Sequence, residues 1–199
     1  MPRDESPDER ARPARPRLGT SFPEVLAAAR AGAPWAYQRL FDAYAAAVAA
    51  YLRGQGAEDP DSLANDVFLR AFTNLGTFDG DEFRFRSWLF TIAHHRLIDD
   101  RRRRSRRPQR ADGEVAEAHL GAEPPADVDA LANLGGVEVG RLLARLSADQ
   151  REVLLLRVVG DLTIEQVAEA VGKRPGAVKA LQRRGLAALR RLLEEGDLP

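Results

Sequence analysis

The sequence predicts an all-α protein of two small helical domains, and three observations carry that expectation. Apolar residues recur at three- and four-residue steps in several separate stretches, which is the spacing of one helix face. Capping and stop residues stand at the ends of those stretches, and no stretch reads as a β-strand. Between the two groups lies a segment carrying Pro124-Pro125, Gly135-Gly136 and a run of acids, the composition of a flexible acidic linker.

Residues 1–20 hold four prolines among charges of both signs, and Leu18 as their single large aliphatic side chain, so a disordered extension is expected there. Helical patterning begins at Phe22. After Pro34, a suitable first-turn residue, Leu40, Phe41, Tyr44, Val48, Tyr51 and Leu52 form a stripe that Gly54 and Gly56 end. Asp61 or Ser62 is expected to cap the next helix, whose stripe is Leu63, Val67, Phe68, Ala71, Phe72 and Leu75. A loop rich in Gly, Asp and Phe is predicted from Gly76 to Phe85, and a third helix from near Ser87 with Trp88, Leu89, Ile92, Ala93 and Leu97. That helix runs into seven arginines between Arg101 and Arg110 before Pro108 stops or kinks it.

After the linker, Leu142, Leu143 and Leu146 close a short helix. Ser147 with Gln150 and Thr163 with Gln166 then match two capping boxes. Gly172 supplies a stop and Pro175 the next start, so the order is helix, tight turn, helix: a helix-turn-helix whose second member suits a DNA major groove. On that last helix Val178, Leu181, Leu186, Leu189, Leu192 and Leu193 are expected inward, leaving Lys179, Arg183, Arg184 and Arg190 outside. The expected division is an extension over 1–20, a helical domain over 21–108, the linker over 109–136 and the helix-turn-helix domain over 137–195.

Formal charge balances, 30 basic against 30 acidic residues, yet the charges are segregated. Residues 111–140 carry seven acids and no Lys or Arg, whereas 173–191 carry seven bases and no acid. Seven arginines exceed what a helix dipole uses within its last turn, so a polyanionic partner is the expectation for that run. Phe83, Phe85 and Trp88 beside it are candidates for stacking on unpaired bases, with Trp88 expected mostly in the core. No cysteine is present, which excludes disulfides and thiolate metal sites. His94 and His95 are neighbours about 100° apart on a helix and do not form a metal pair; no catalytic signature accompanies them, so no enzyme, metal or cofactor is expected. No run is long and apolar enough to cross a membrane, so a cytoplasmic protein without membrane insertion is expected.

Three segments in this order resemble the extracytoplasmic-function (ECF) sigma factors of bacterial RNA polymerase: DPDSLANDVFLRAF at 59–72, FRSWLFTIAHHRLIDDRRRR at 85–104, and LSADQREVLLLRVVGDLTIEQVAEAVGKRPGAVKALQRRGLAALRRL at 146–192. The resemblance implies that the N-terminal domain is sigma region 2, which binds the β′ clamp helices through Asp61, Asn65, Asp66 and Arg70. It implies that the same domain captures and melts the minus-ten element with Phe78, Phe83, Arg84, Trp88, Arg96, Arg101, Arg102, Arg103 and Arg104. The C-terminal domain would be region 4, reading the minus-thirty-five element with Arg174, Lys179, Ala180, Arg183 and Arg184. The partners implied are core RNA polymerase (β′ clamp helices and β flap), promoter DNA and an anti-sigma factor. By the same analogy the acidic linker would thread polymerase channels that nascent RNA later occupies. The competing class is a free-standing helix-turn-helix regulator; residues 59–107, with their basic run and aromatic loop, make little sense in a ligand sensor.

Overall fold

Pro23 stands in the first turn of α1 (Phe22–Arg30), where its missing N–H costs nothing, and the helix buries Phe22, Val25, Leu26 and Ala29. A computed structural model describes residues 18–106 and 139–194; the acidic linker and residues 1–17 of the expected disordered extension lie outside the described residues. Residues 18–20 are ordered, against expectation, because Gly19–Ser21 form a 3-10 turn and the Leu18 and Gly19 N–H groups are held by Glu82. Helix α2 (Pro34–Gly54) buries Leu40, Tyr44, Val48, Tyr51 and Leu52 of the stripe its spacing predicts and leaves Phe41 partly buried against the core, and Gly56 takes the left-handed backbone (φ 78°) that turns the chain away.

Helix α3 (Pro60–Thr73) starts one residue before the expected cap. Asp59 is the capping residue, accepting from the Ser62 N–H at 2.9 Å, because Pro60 with its fixed φ fills the first helical position. Helix α4 (Glu82–Arg106) starts five residues before Ser87. The Asp81 carboxylate accepts from the Arg84 N–H at 2.8 Å, so the expected loop from Gly76 to Phe85 shrinks. Leu75–Thr77 forms a 3-10 turn, only residues 78–81 lie outside helices, and Phe83, Arg84 and Phe85 fall in the first helical turn.

In the C-terminal half, residues 139–144 are helical, followed by α5 (Ala148–Val158), α6 (Ile164–Ala170) and α7 (Pro175–Glu194). Both predicted capping boxes are closed in both directions, Ser147 with Gln150 and Thr163 with Gln166. Gly172 (φ 64°) breaks α6, and the Lys173 N–H donates to the Ala168 carbonyl at 2.9 Å, which sets the tight turn of the helix-turn-helix. Helix α7 buries Val178, Leu181, Gly185 and Leu192, while Leu186 and Leu193 are half exposed, against expectation. Each of these two follows a buried position by one residue and so lies about 100° around the helix from it. Gly185 is where α7 meets α5: a Cβ there would stand 2.8 Å from Leu154 Cδ1. Gly185→Val is therefore expected to destabilise the C-terminal domain by about 1–3 kcal/mol, read as a lower denaturant midpoint.

The described residues are all helix, turn and loop, in two helical domains that pack on one another. Gly54 at the end of α2 seats Leu155 of α5, and a Cβ at Gly54 would lie 2.9 Å from Leu155 Cδ2. Tyr51 is buried at this junction; desolvation and the nearby Glu152 charge raise its hydroxyl well above the ordinary tyrosine pKa. Among the described residues no helix is long and apolar enough to cross a membrane.

Candidate nucleic-acid and polymerase-binding surfaces

The short segment between the 3-10 turn and α4 is held from both sides. Phe85, a candidate for base stacking, is instead fully buried, its ring 5.5 Å from Phe22, 5.4 Å from Tyr44, 5.5 Å from Phe78 and 5.8 Å from Trp88. The Arg30 guanidinium donates to the Phe78 carbonyl. Glu82 ties α4 to the start of α1: its carboxylate accepts from the Leu18 N–H at 2.9 Å, the Gly19 N–H at 2.7 Å and the Tyr44 hydroxyl at 2.8 Å. Burial and this carboxylate raise the Tyr44 pKa, so the hydroxyl stays protonated and remains a donor.

This packing sorts the residues expected to touch a melted strand. Phe78, expected to contact the strand, is 6% exposed, with its ring tilted against Trp88 at 5.1 Å, so little of it is open to a base in this arrangement. Trp88 is half-buried and packs against the core, while Phe83 is 57% exposed and Arg84 is exposed. A cleft beside them is lined by Thr77, Phe78, Asp79, Arg84, Ser87, Trp88 and Thr91, and on its far wall by Gln166 and Glu169 of α6.

The arginines of α4 divide likewise. Arg96 pairs with Asp66 at 2.5 Å, which joins a residue expected on DNA to one expected on polymerase. Arg101 donates to the Gln55 carbonyl at 2.5 Å, and Arg104 pairs with Asp100 at 2.6 Å and Glu58 at 3.4 Å. These three tie α4 to the N-terminal domain or along its own surface. Arg101 is nonetheless exposed, as are Arg102 and Arg103, and Arg103 Nε donates along the helix to the Asp99 carbonyl at 3.4 Å; Arg102 and Arg103 reach no carboxylate among the described residues. The remaining basic side chains of the run lie outside the described residues.

On α3, Asn65 and Arg70 are exposed, Asp66 is half-buried and Asp61 sits 3.5 Å from Arg53. Between them Leu69 is 68% exposed, the most open of the large apolar side chains among the described residues. Its signal was present in the sequence: Leu69 falls off the stripe that Leu63, Val67 and Phe68 define. On α7 and the turn before it, Arg174, Lys179, Arg183 and Arg184 are exposed and Ala180 is half-buried, forming one basic flank. Arg174 holds the capping position through its carbonyl, which accepts from the Ala177 N–H at 2.9 Å and leaves the guanidinium outside.

Residues 36–107 match the family model of sigma-70 region 2, and residues 136–189 match that of sigma-70 region 4. The chain is 32% identical over 186 residues to the ECF RNA polymerase sigma factor BldN of Streptomyces coelicolor, covering 92% of this chain and 70% of that protein. The chain belongs to the ECF sigma factors. It is accordingly an RNA polymerase sigma factor, one of a family of transcription initiation factors. A second relative, ECF sigma factor ShbA of Streptomyces griseus, is 31% identical over 148 residues, spanning 72% of this chain and 76% of its own. In fold it is similar to CnrH, solved in complex with the cytosolic domain of CnrY, with a TM-score of 0.63, 24% identity, and coverage of 88% of this chain and 98% of that one.

Proposed function

We propose that this sigma factor directs core RNA polymerase to its promoters by two-point DNA recognition. In this reading the N-terminal domain captures and melts the minus-ten element, and α7 reads the minus-thirty-five element as duplex. The observation that carries it is the pairing of an anchored, open aromatic and basic rim (Phe83, Arg84, Trp88) with a helix-turn-helix whose outer flank is basic. Rigid aromatic faces suit unpaired bases, and guanidinium groups suit guanine edges and phosphates in a groove. The α3 face around Asn65, Asp66, Leu69 and Arg70 would bind the polymerase clamp, leaving the DNA elements free on other faces. An anti-sigma factor that masks these surfaces, and a cytoplasmic location, belong to the same reading. In vitro transcription with core polymerase and genomic fragments tests it: promoter-specific initiation supports the proposal, and its complete absence overturns it.

The division of the arginines gives a sharper expectation. Substituting Arg102→Ala together with Arg103→Ala removes exposed charge without breaking an ion pair of α4, so the fold should be retained. Each lost phosphate contact on a single strand lowers the salt dependence of binding by about 0.7 in log–log slope. Open-complex formation should weaken while the set of promoters used stays the same, as run-off transcription across a salt series would read. A changed promoter set would assign these arginines to base recognition instead.

A further inference from the structure

We propose that the arginine-rich stretch at residues 10–17 is a third DNA-binding element, an arm that grips promoter phosphates beside the minus-ten site. The inference rests on the function proposed above. Charge is segregated within the extension: Asp4, Glu5, Asp8 and Glu9 all fall in its outer half, while Arg10, Arg12, Arg15 and Arg17 follow with no acid among them. A stretch with these four cations and no large apolar side chain cannot add to a core, and it suits a polyanion.

Where the arm stands is set by the residues that follow it. Leu18 packs against the core, and the Glu82 carboxylate holds the Leu18 N–H at 2.9 Å and the Gly19 N–H at 2.7 Å. The Ser21 hydroxyl donates to the Leu18 carbonyl at 2.7 Å and closes the turn. Glu82 directly precedes Phe83, the exposed ring assigned above to an unpaired base, and Gly19 and Phe83 line one groove. The arm is therefore tied to the rim that DNA would occupy. From Leu18 out to Arg10 the chain reaches at most about 25–30 Å, and a duplex strand presents a phosphate about every 3.4 Å. All four guanidinium groups can thus meet phosphates next to the strand at Phe83. Asp79 and Asp81 are exposed on the neighbouring loop, but exposed ion pairs gain little against solvent and compete poorly with a polyanion. Basic arms that leave a DNA-binding fold at the edge of its contact surface add contacts of this kind in other folds.

The test is a salt titration of the full-length protein with a dye-labelled single-stranded oligonucleotide of mixed sequence. Replacing Arg10→Gln, Arg12→Gln, Arg15→Gln and Arg17→Gln together should lower the log–log salt slope by about 3, at about 0.7 for each phosphate contact on a single strand. A fourfold rise in salt should then cost the wild type about 60-fold more affinity than the variant. An arm with residues 2–17 in reverse order keeps the net charge but sets the acids against the fold, and it should bind like the glutamine variant. Both variants keep Leu18 and Gly19, so their melts should match that of the wild type. In the holoenzyme, Ala14→Cys gives the cysteine-free chain a single thiol for an iron chelate, attached before assembly. Hydroxyl-radical cuts in promoter DNA should cluster within about 30 Å of the minus-ten element. An unchanged salt slope in the glutamine variant, a reversed arm that binds like the wild type, or cuts absent from that zone would overturn the proposal. Failure of the transcription assay would instead sink the function reading, while the oligonucleotide titration still reports whether the arm holds DNA.

Discussion

Leu69→Asp is expected to weaken binding to core RNA polymerase by about 2 kcal/mol or more, roughly thirtyfold in Kd, while leaving the protein folded. The side chain is 68% exposed on a helix whose other large apolar residues are mostly buried, and it stands among Asn65, Asp66 and Arg70. An apolar anchor ringed by polar groups is the usual make-up of a binding hot spot, whereas a lone exposed leucine elsewhere would need no explanation. Because the residue contributes little to the core, substitution should change the unfolding midpoint by no more than a surface mutation does, about 0.5 kcal/mol. Pull-down of core polymerase with purified variants, alongside thermal melts, separates the two effects. Undiminished binding would move the polymerase contact off this part of α3.

What the sequence made legible follows from how local each signal is. The two capping boxes, the stripe of α2 and the stop at Gly172 depend on residues within one or two turns, and the chain realises them as read. The sequence places the start of α4 five residues late because Gly80-Asp81 serves equally as loop composition and as a stop followed by a cap. Only tertiary packing decides between those: Glu82 is anchored on Leu18, Gly19 and Tyr44, distant in sequence by up to 64 positions. Leu186 and Leu193 read as inward in the sequence because leucines at mixed three- and four-residue steps fit more than one stripe, and Gly185 chooses the stripe by its close approach to Leu154. The arginine run looked uniform in sequence. That Arg101 and Arg104 reach partners on other parts of the protein or in the helix, while the exposed Arg102 and Arg103 bind no carboxylate among the described residues, depends on where Gln55, Glu58 and Asp100 fall. Glu152 and Asp161, which meet His94 and Arg86 across the two domains, carry no local mark at all.

Phe85→Ala should have the largest effect on stability of any single change at the proposed minus-ten site, about 3–5 kcal/mol. Its ring is fully buried and touches four others, so truncation leaves a cavity at the point where α1, α2, the loop and α4 converge. That loss is a large part of the roughly 5–15 kcal/mol that holds a typical domain folded, and a fall in Tm of roughly 10 °C or more should accompany it. Phe83→Ala, two positions earlier in the same turn, should behave in the opposite way. With 57% of the side chain exposed, its removal should scarcely alter the melt, yet a stacking partner for an unpaired base is worth about 1–3 kcal/mol. The pair is therefore diagnostic when melts and open-complex yields are measured together below the melting temperature. Phe85→Ala should lose stability first and promoter opening as a consequence, because Trp88 loses the ring that orients it; Phe83→Ala should lose promoter opening alone. If Phe83→Ala instead left opening intact, the exposed ring would have no part in strand capture, and Trp88 with Arg84 would have to carry the recognition that the loop is proposed to provide.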